Sequence, residues 1–185
     1  WPLAPVEWSQ EASKMIVLSD ALFADISGLE SPARMGFVIE LPAVTALQPD
    51  AATVVLDRVQ DAGNVGSILR SASAFGFQQV VALKGSAALW SPKVLRAGMG
   101  AHFALDLIEA ASLEDLQPLR VPMLVTHVHE GDFLHRAELP WPCAWVLGHE
   151  GQGVSAALEV RATRRIRIAQ PGGEESLNVA AAAAI

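Results

Sequence analysis

Asn64 and Arg70 stand six residues apart in the run Asp61-Ala62-Gly63-Asn64-Val65-Gly66-Ser67-Ile68-Leu69-Arg70. On a helix starting near Asn64 that spacing is under two turns, so the two side chains lie on roughly overlapping faces. An amide and a guanidinium there are either a helix cap with a surface ion pair or two polar groups turned toward one ligand. A second polar set closes the chain, where Pro171, Gly172 and Gly173 precede Ser176, Leu177 and Asn178 and then an alanine-rich run. Glycines before a helix N-terminus let backbone N–H groups approach a ligand, and apolar Leu177, bracketed by Ser176 and Asn178, can lie against a flat base or ring. Ser176 can equally cap the helix. A third loop, Leu147-Gly148-His149-Glu150-Gly151-Gln152-Gly153, carries Glu150, which either braces the loop or takes part in chemistry. Its glycine order differs from the dinucleotide-binding G-x-G-x-x-G, and no P-loop Gly-Lys-Ser/Thr or His-Glu-x-x-His occurs. The five histidines are scattered without metal-ligand spacing, so no metal is expected.

Those loops need strands to aim them. From Thr53 onward short apolar runs alternate with helical segments, giving strands at Thr53–Leu56, Gln79–Leu83, Phe103–Ile108, Met123–Thr126, Ala144–Leu147 and Arg165–Ile168. Helices are expected at about 64–75, 92–98, 112–118, 154–161 and from 176. Strands that are apolar throughout are buried on both faces, which predicts an α/β domain with a mainly parallel sheet and helices on both sides. All three loops then fall at carboxyl ends of strands, where open parallel sheets bind ligands. Residues 1–14 show no period, Met15–Leu18 and Phe37–Leu41 suggest short strands around a helix at Asp20–Ile26, and residues 42–52 suggest a linker.

The three loops resemble, in order, the three signature motifs of the SpoU (TrmH-type) RNA ribose 2′-O-methyltransferases of the SPOUT superfamily, the third carried by Ile168, Gly172, Gly173 and Glu175-Ser176-Leu177-Asn178-Val179. Ala62 and Ala169 stand where that family usually has proline, His149 where it often has asparagine, and Gly98 where serine is common. The resemblance implies a C-terminal trefoil knot, with residues 1–41 as part of a small RNA substrate-binding domain, 42–52 as linker and 53–185 as the SPOUT methyltransferase domain with its last helix cut short. It further implies S-adenosylmethionine as cofactor, held by Gly148, Ile168, Leu177, Gly153 and Thr126, and rRNA or tRNA as substrate. Asn64, Arg70, Glu150, Ser176 and Asn178 would form the catalytic set in a site shared across a homodimer. Because a guanidine is scarcely ever neutral near pH 7, Arg70 is expected to orient the neighbouring phosphate and stabilise negative charge on the 2′-oxygen rather than serve as base.

Composition limits the alternatives. At 185 residues and 51% hydrophobic, the chain can bury one good core. Its single cysteine, Cys143, excludes an internal disulfide, and neither a long apolar stretch nor a secretory pattern is present, so a reducing cytoplasm is expected and no membrane. The net charge of −7 argues against RNA binding by bulk electrostatics, yet residues 1–50 hold two basic and seven acidic residues, leaving the rest near neutral. Arg161, Arg164, Arg165 and Arg167 crowd together, either as an RNA contact or as a solvated helix end and edge strand. Two other classes stay open: a knotted paralogue that only docks RNA or protein, and a nucleotide enzyme on an ordinary doubly wound sheet.

Overall fold

The computed structural model describes residues 14–27, 35–42, 46–172 and 176–185. Its contacts divide into two compact units, Trp1–Pro42 and Ala43–Ile185. In the first, the described residues hold a helix, α1 (Asp20–Ser27), where one was expected. Met15–Leu18 and Phe37–Leu41, expected as strands, are not strands: neither segment joins a sheet among the described residues, and their apolar side chains are largely exposed.

The second unit runs β1 (Thr53–Asp57), α2 (Ala62–Ala74), β2 (Gln79–Leu83), α3 (Pro92–Gly98), β3 (Asp106–Ala111), β4 (Met123–Thr126), β5 (Asp132–Phe133), β6 (Ala144–Gly148), α4 (Ala156–Glu159), β7 (Arg164–Arg167) and α5 (Val179–Ala182). Strand order is β3-β2-β1-β6-β4-β7-β5, and every pairing is parallel. The apolar runs account for this, because alternate residues serve opposite faces. Val54, Leu56, Val80, Ala82 and Leu147 pack under Val65, Ile68 and Leu69 of α2. Val55, Val81, Val125 and Val146 pack on the other side against Leu116 and Leu158. Cys143 is buried beside Leu124 and Ile166, and burial pushes its thiol up to about 11, an inert core thiol.

Several boundaries depart from expectation for local reasons. The strand expected at Phe103–Ile108 begins at Asp106, because residues 101–104 wind into a 3-10 turn that buries His102, its Nε2 2.8 Å from the Leu89 carbonyl. The helix expected at 112–118 is a 3-10 turn at Glu114–Leu116, since the Asp115 carboxylate takes up the Ser112 amide and hydroxyl at 2.7 and 2.8 Å and Pro118 ends the segment. Residues 46–52, expected as linker, pack into the second unit: Ala51 and Ala52 are buried, and buried Gln79 donates to the Gln48 carbonyl at 2.8 Å.

The feature that positions the site is the placement of β6 beside β1. Asp57 pairs in register with Gly148, so the loops leaving these two strands start side by side. β1 has β2 on one flank and β6 on the other, which makes this the point where strand order reverses.

Candidate active site

Asp57, the last residue of β1, is 2% exposed. Its carboxylate accepts from the Ser155 amide at 2.6 Å and from Arg58 Nε at 3.0 Å, while Arg58 also donates to Gln152 Oε1 at 2.8 Å. These bonds clamp the loop after β6 to the end of β1. An acidic residue closing an otherwise apolar strand was the available signal for Asp57, and sequence reasoning passed over it. Gly148 is obligatory here: a Cβ on it would lie 2.2 Å from the Gly153 carbonyl carbon and 2.3 Å from the Val154 nitrogen, both backbone atoms. The loop folds back through reciprocal backbone bonds between His149 and Gly153 at 3.0 and 2.8 Å, and His149 Nδ1 accepts from the Gly151 amide at 2.9 Å. His149 thus shapes the loop.

Asn64 does not cap α2. That role belongs to Asp61, whose Oδ1 accepts from the Asn64 amide at 2.7 Å. The Asn64 side chain is therefore free to turn outward, and it joins all three loops. Its Nδ2 donates to Glu150 Oε1 at 3.2 Å, and its Oδ1 accepts from Asn178 Nδ2 at 3.0 Å. Glu150 also accepts from the amides of Gln60 and Asp61, at 3.4 and 3.2 Å. Partial burial pushes its carboxyl up, but bonds from its own backbone, Asn64, Asp61 and Gln60 outweigh that and hold it below its ordinary value. A carboxylate so engaged is a brace, not a base poised near neutrality. Asn178 Oδ1 caps α5, accepting from Ala180 and Ala181 at 2.9 and 3.1 Å, so the helix expected from Ser176 starts at Val179 and Ser176 is not its cap.

Beside this join lies a cleft of about 1100 Å³. Thr126, Gly148, Gly153, Ile168 and Leu177, the five residues expected to hold a cofactor, all line it, together with Glu150 and Ser176. Asn64 and Asn178 stand at the join rather than in the cleft wall. Arg70 is exposed on α2, outside the cleft of its own chain. In the cleft wall Gln170 Oε1 is buried with no hydrogen-bond partner among the described residues, an acceptor that suits an amine-bearing heterocycle. Sequence reasoning did not single Gln170 out. Gly173 and Glu175 of the third motif lie outside the described residues. The basic cluster on β7 and the turn before it is absorbed by structure: Arg161 donates to the Leu113 and Leu116 carbonyls, Arg164 pairs with Asp132, Arg165 with Glu159, and Arg167 donates to the His129 carbonyl. Among the described residues no group of three or more acidic, histidine or cysteine side chains is arranged to hold a metal.

A parallel sheet in this strand order, with three loops meeting over one cleft at its carboxyl edge, defines a SPOUT-class domain. The chain belongs to the SpoU rRNA Methylase family, whose model matches residues 51–185. It is 31% identical over 172 residues to the 23S rRNA guanosine 2′-O-methyltransferase RlmP of Bacillus subtilis, covering 91% of this chain and 69% of that relative. Among solved structures, a TrmH-family protein of Porphyromonas gingivalis superposes with a TM-score of 0.72 at 38% identity, covering 78% of this chain and 61% of that one. The SpoU methyltransferase AviRb of Streptomyces viridochromogenes, solved in complex with AdoMet, gives 0.71 at 27% identity over 78% of this chain and 62% of its own. The chain thus spans less than two thirds of each of these two solved proteins.

Proposed function

We propose that this protein transfers a methyl group from S-adenosylmethionine to the ribose 2′-hydroxyl of a nucleotide in rRNA or tRNA. The observation that carries the reading is the hydrogen-bonded join of Asn64, Glu150 and Asn178 beside the cleft lined by Gly148, Ile168 and Leu177. The activities named for the similar proteins support it. S-adenosylmethionine, when bound, supplies an activated methyl group. The cleft fits such a molecule: Leu177 and Ile168 offer apolar contact to a purine, and unpaired Gln170 Oε1 offers an acceptor to its amine.

This chain's residues would do the rest. Asn64, locked between Glu150 and Asn178, presents a fixed amide edge to the ribose. Arg70 grips the adjoining phosphate bidentately and stabilises charge on the 2′-oxygen, whose proton leaves to phosphate or water. Ser176, which is exposed and lines the cleft, would hydrogen-bond the nucleotide. Because Arg70 does not line its own chain's cleft, the reading includes a homodimer in which Arg70 serves the cofactor cleft of the partner. α5 and the residue after it cover their own core through Val179, Ala180 and Ala183, while Ile185 is exposed. The first unit, Trp1–Pro42, is read as part of a substrate-recruiting domain, and the buried free thiol Cys143 suits a reducing cytoplasm.

The test is incubation with tritiated S-adenosylmethionine and total RNA from cells lacking the gene, followed by mapping of the label. Alkali-stable ribose label at one nucleotide is the expected result; absence of label, or label on a base, overturns the reading. Calorimetry should show micromolar binding of S-adenosylmethionine and S-adenosylhomocysteine and none of NAD or ATP.

A further inference from the structure

Residues 58–105 contain five basic residues and one acidic residue, in a chain whose net charge is −7. Within that segment α3 carries Lys93 and Arg96 and no acid. The arginines of β7 are spent on carbonyls and carboxylates, whereas Lys93, Arg96 and Arg70 make no hydrogen bond or ion pair among the described residues. α3 also packs directly on the helix that carries Arg70. A Cβ on Gly66 would lie 2.3 Å from Ala97 Cβ, so the helices touch there. Arg70, four residues on, leaves α2 only about 40° around from Gly66, one turn beyond the contact.

The same surface carries two exposed apolar side chains, Met99 at 75% and Phe103 at 70%. Their exposure is built in. His102 is 2% exposed and held to the Leu89 carbonyl, and a Cβ on Gly98 would come within 2.4 Å of its ring. With His102 pinned inward, the next residue of the short 3-10 turn faces out. Trp90 meets the Phe103 ring edge-on, with centroids 6.5 Å apart and planes at 61°, which steadies the ring while most of its surface stays open to solvent. A steadied, open aromatic ring that meets the residue leading into α3, a helix whose cations are unpaired among the described residues, suits a polyanion with stackable flat groups, which is single-stranded RNA.

We propose that the α3 face is the platform for the RNA strand flanking the target nucleotide, with Phe103 stacking on a base and Lys93 and Arg96 holding phosphates. The proposal rests on the RNA methyltransferase reading and deepens it by naming where the substrate strand runs. The test measures fluorescence anisotropy of a short labelled single-stranded RNA of mixed sequence, alongside the KM and kcat for total RNA and the Kd for S-adenosylmethionine. Phe103→Ala weakens RNA binding about tenfold and raises KM for RNA with kcat unchanged, and Phe103→Trp restores both. Lys93→Gln with Arg96→Gln lowers the slope of log affinity against log salt by about one to two. The cofactor Kd and the melting temperature stay at wild-type values, which shows the variants are folded. RNA affinity and salt slope unchanged in these variants overturn the proposal, and a changed sedimentation coefficient in that case would make the face a contact between copies. If the wild type binds RNA but transfers no methyl group, the methyltransferase reading fails, and the RNA affinities alone decide the platform.

Discussion

Asn64 is the residue on which the three loops depend, because its two amide ends reach different loops: one bonds Glu150, the other Asn178. Removing it separates the loops without touching the core. Asn64→Ala is expected to lower methyl transfer about 100-fold, the order of loss that follows from misplaced reacting groups, with little change in cofactor Kd. Equal loss of both would show that Asn64 holds the cleft rather than the nucleotide. Glu150 makes a prediction in pH. Its folded carboxyl titrates below its ordinary value, so the stabilisation it supplies is present above that value and is lost as pH falls through the depressed one. Glu150→Gln removes that titration. Between about pH 7 and pH 3 in urea unfolding, a window that extends below the ordinary carboxyl value, the wild type should therefore lose more stability than Glu150→Gln, and equal losses would refute the brace.

At the scale of elements, the cleft exists because β6 ends in a residue with no side chain. The loop from His149 to Gly153 closes back so tightly on Gly148 that a Cβ would overlap backbone, which cannot rotate aside as a side chain can. Gly148→Ala is expected to cost about 1–3 kcal/mol of stability by overpacking and to abolish measurable cofactor binding. Thermal melting and calorimetry check the two parts, and unchanged cofactor affinity would show that the loop relaxes without closing the cleft. Elements were legible from the sequence where burial is continuous. The five-residue runs at β1, β2 and β6 are buried in nearly every position around an apolar centre, and α3 is bounded by Ser91 and Pro92 at its start, a cap and a first-turn proline. They were illegible where a single side chain overrides propensity, as His102 does before β3 and Asp115 does in the turn at Glu114–Leu116.

For the whole molecule, the shared-site homodimer predicts complementation. Arg70→Ala and Ser176→Ala chains are each expected to be inactive alone. In a mixed dimer with sites composed in trans, both lesions fall in one site and the other is intact, so activity returns toward a quarter of the wild-type level in an equal mixture. Persistent inactivity means that each site lies within one chain. The trefoil knot that the resemblance implies is also a property of the entire chain, since chains almost never thread loops and no local residue pattern encodes a crossing. Pulling the protein from its ends in a single-molecule experiment is expected to leave the contour length short of a fully extended chain, the missing length being held in the tightened knot; full extension would exclude it.

The sequence by itself determined the class of fold, because strands apolar on both faces can only be satisfied between two layers of helix. It also determined which loops matter, because glycines and polar residues follow those strands at their carboxyl ends. Tertiary structure alone decided how those residues divide their work. Pairing β6 with β1 in register brings Asp57 to Gly148 and Glu150 to the N-terminus of α2, though these residues are some ninety positions apart. Through that pairing Glu150 becomes a brace, Asn178 a cap and Asn64 the link between them. Spacing along a chain cannot express this, since hydrogen bonds form between groups that the packing of distant strands has made neighbours.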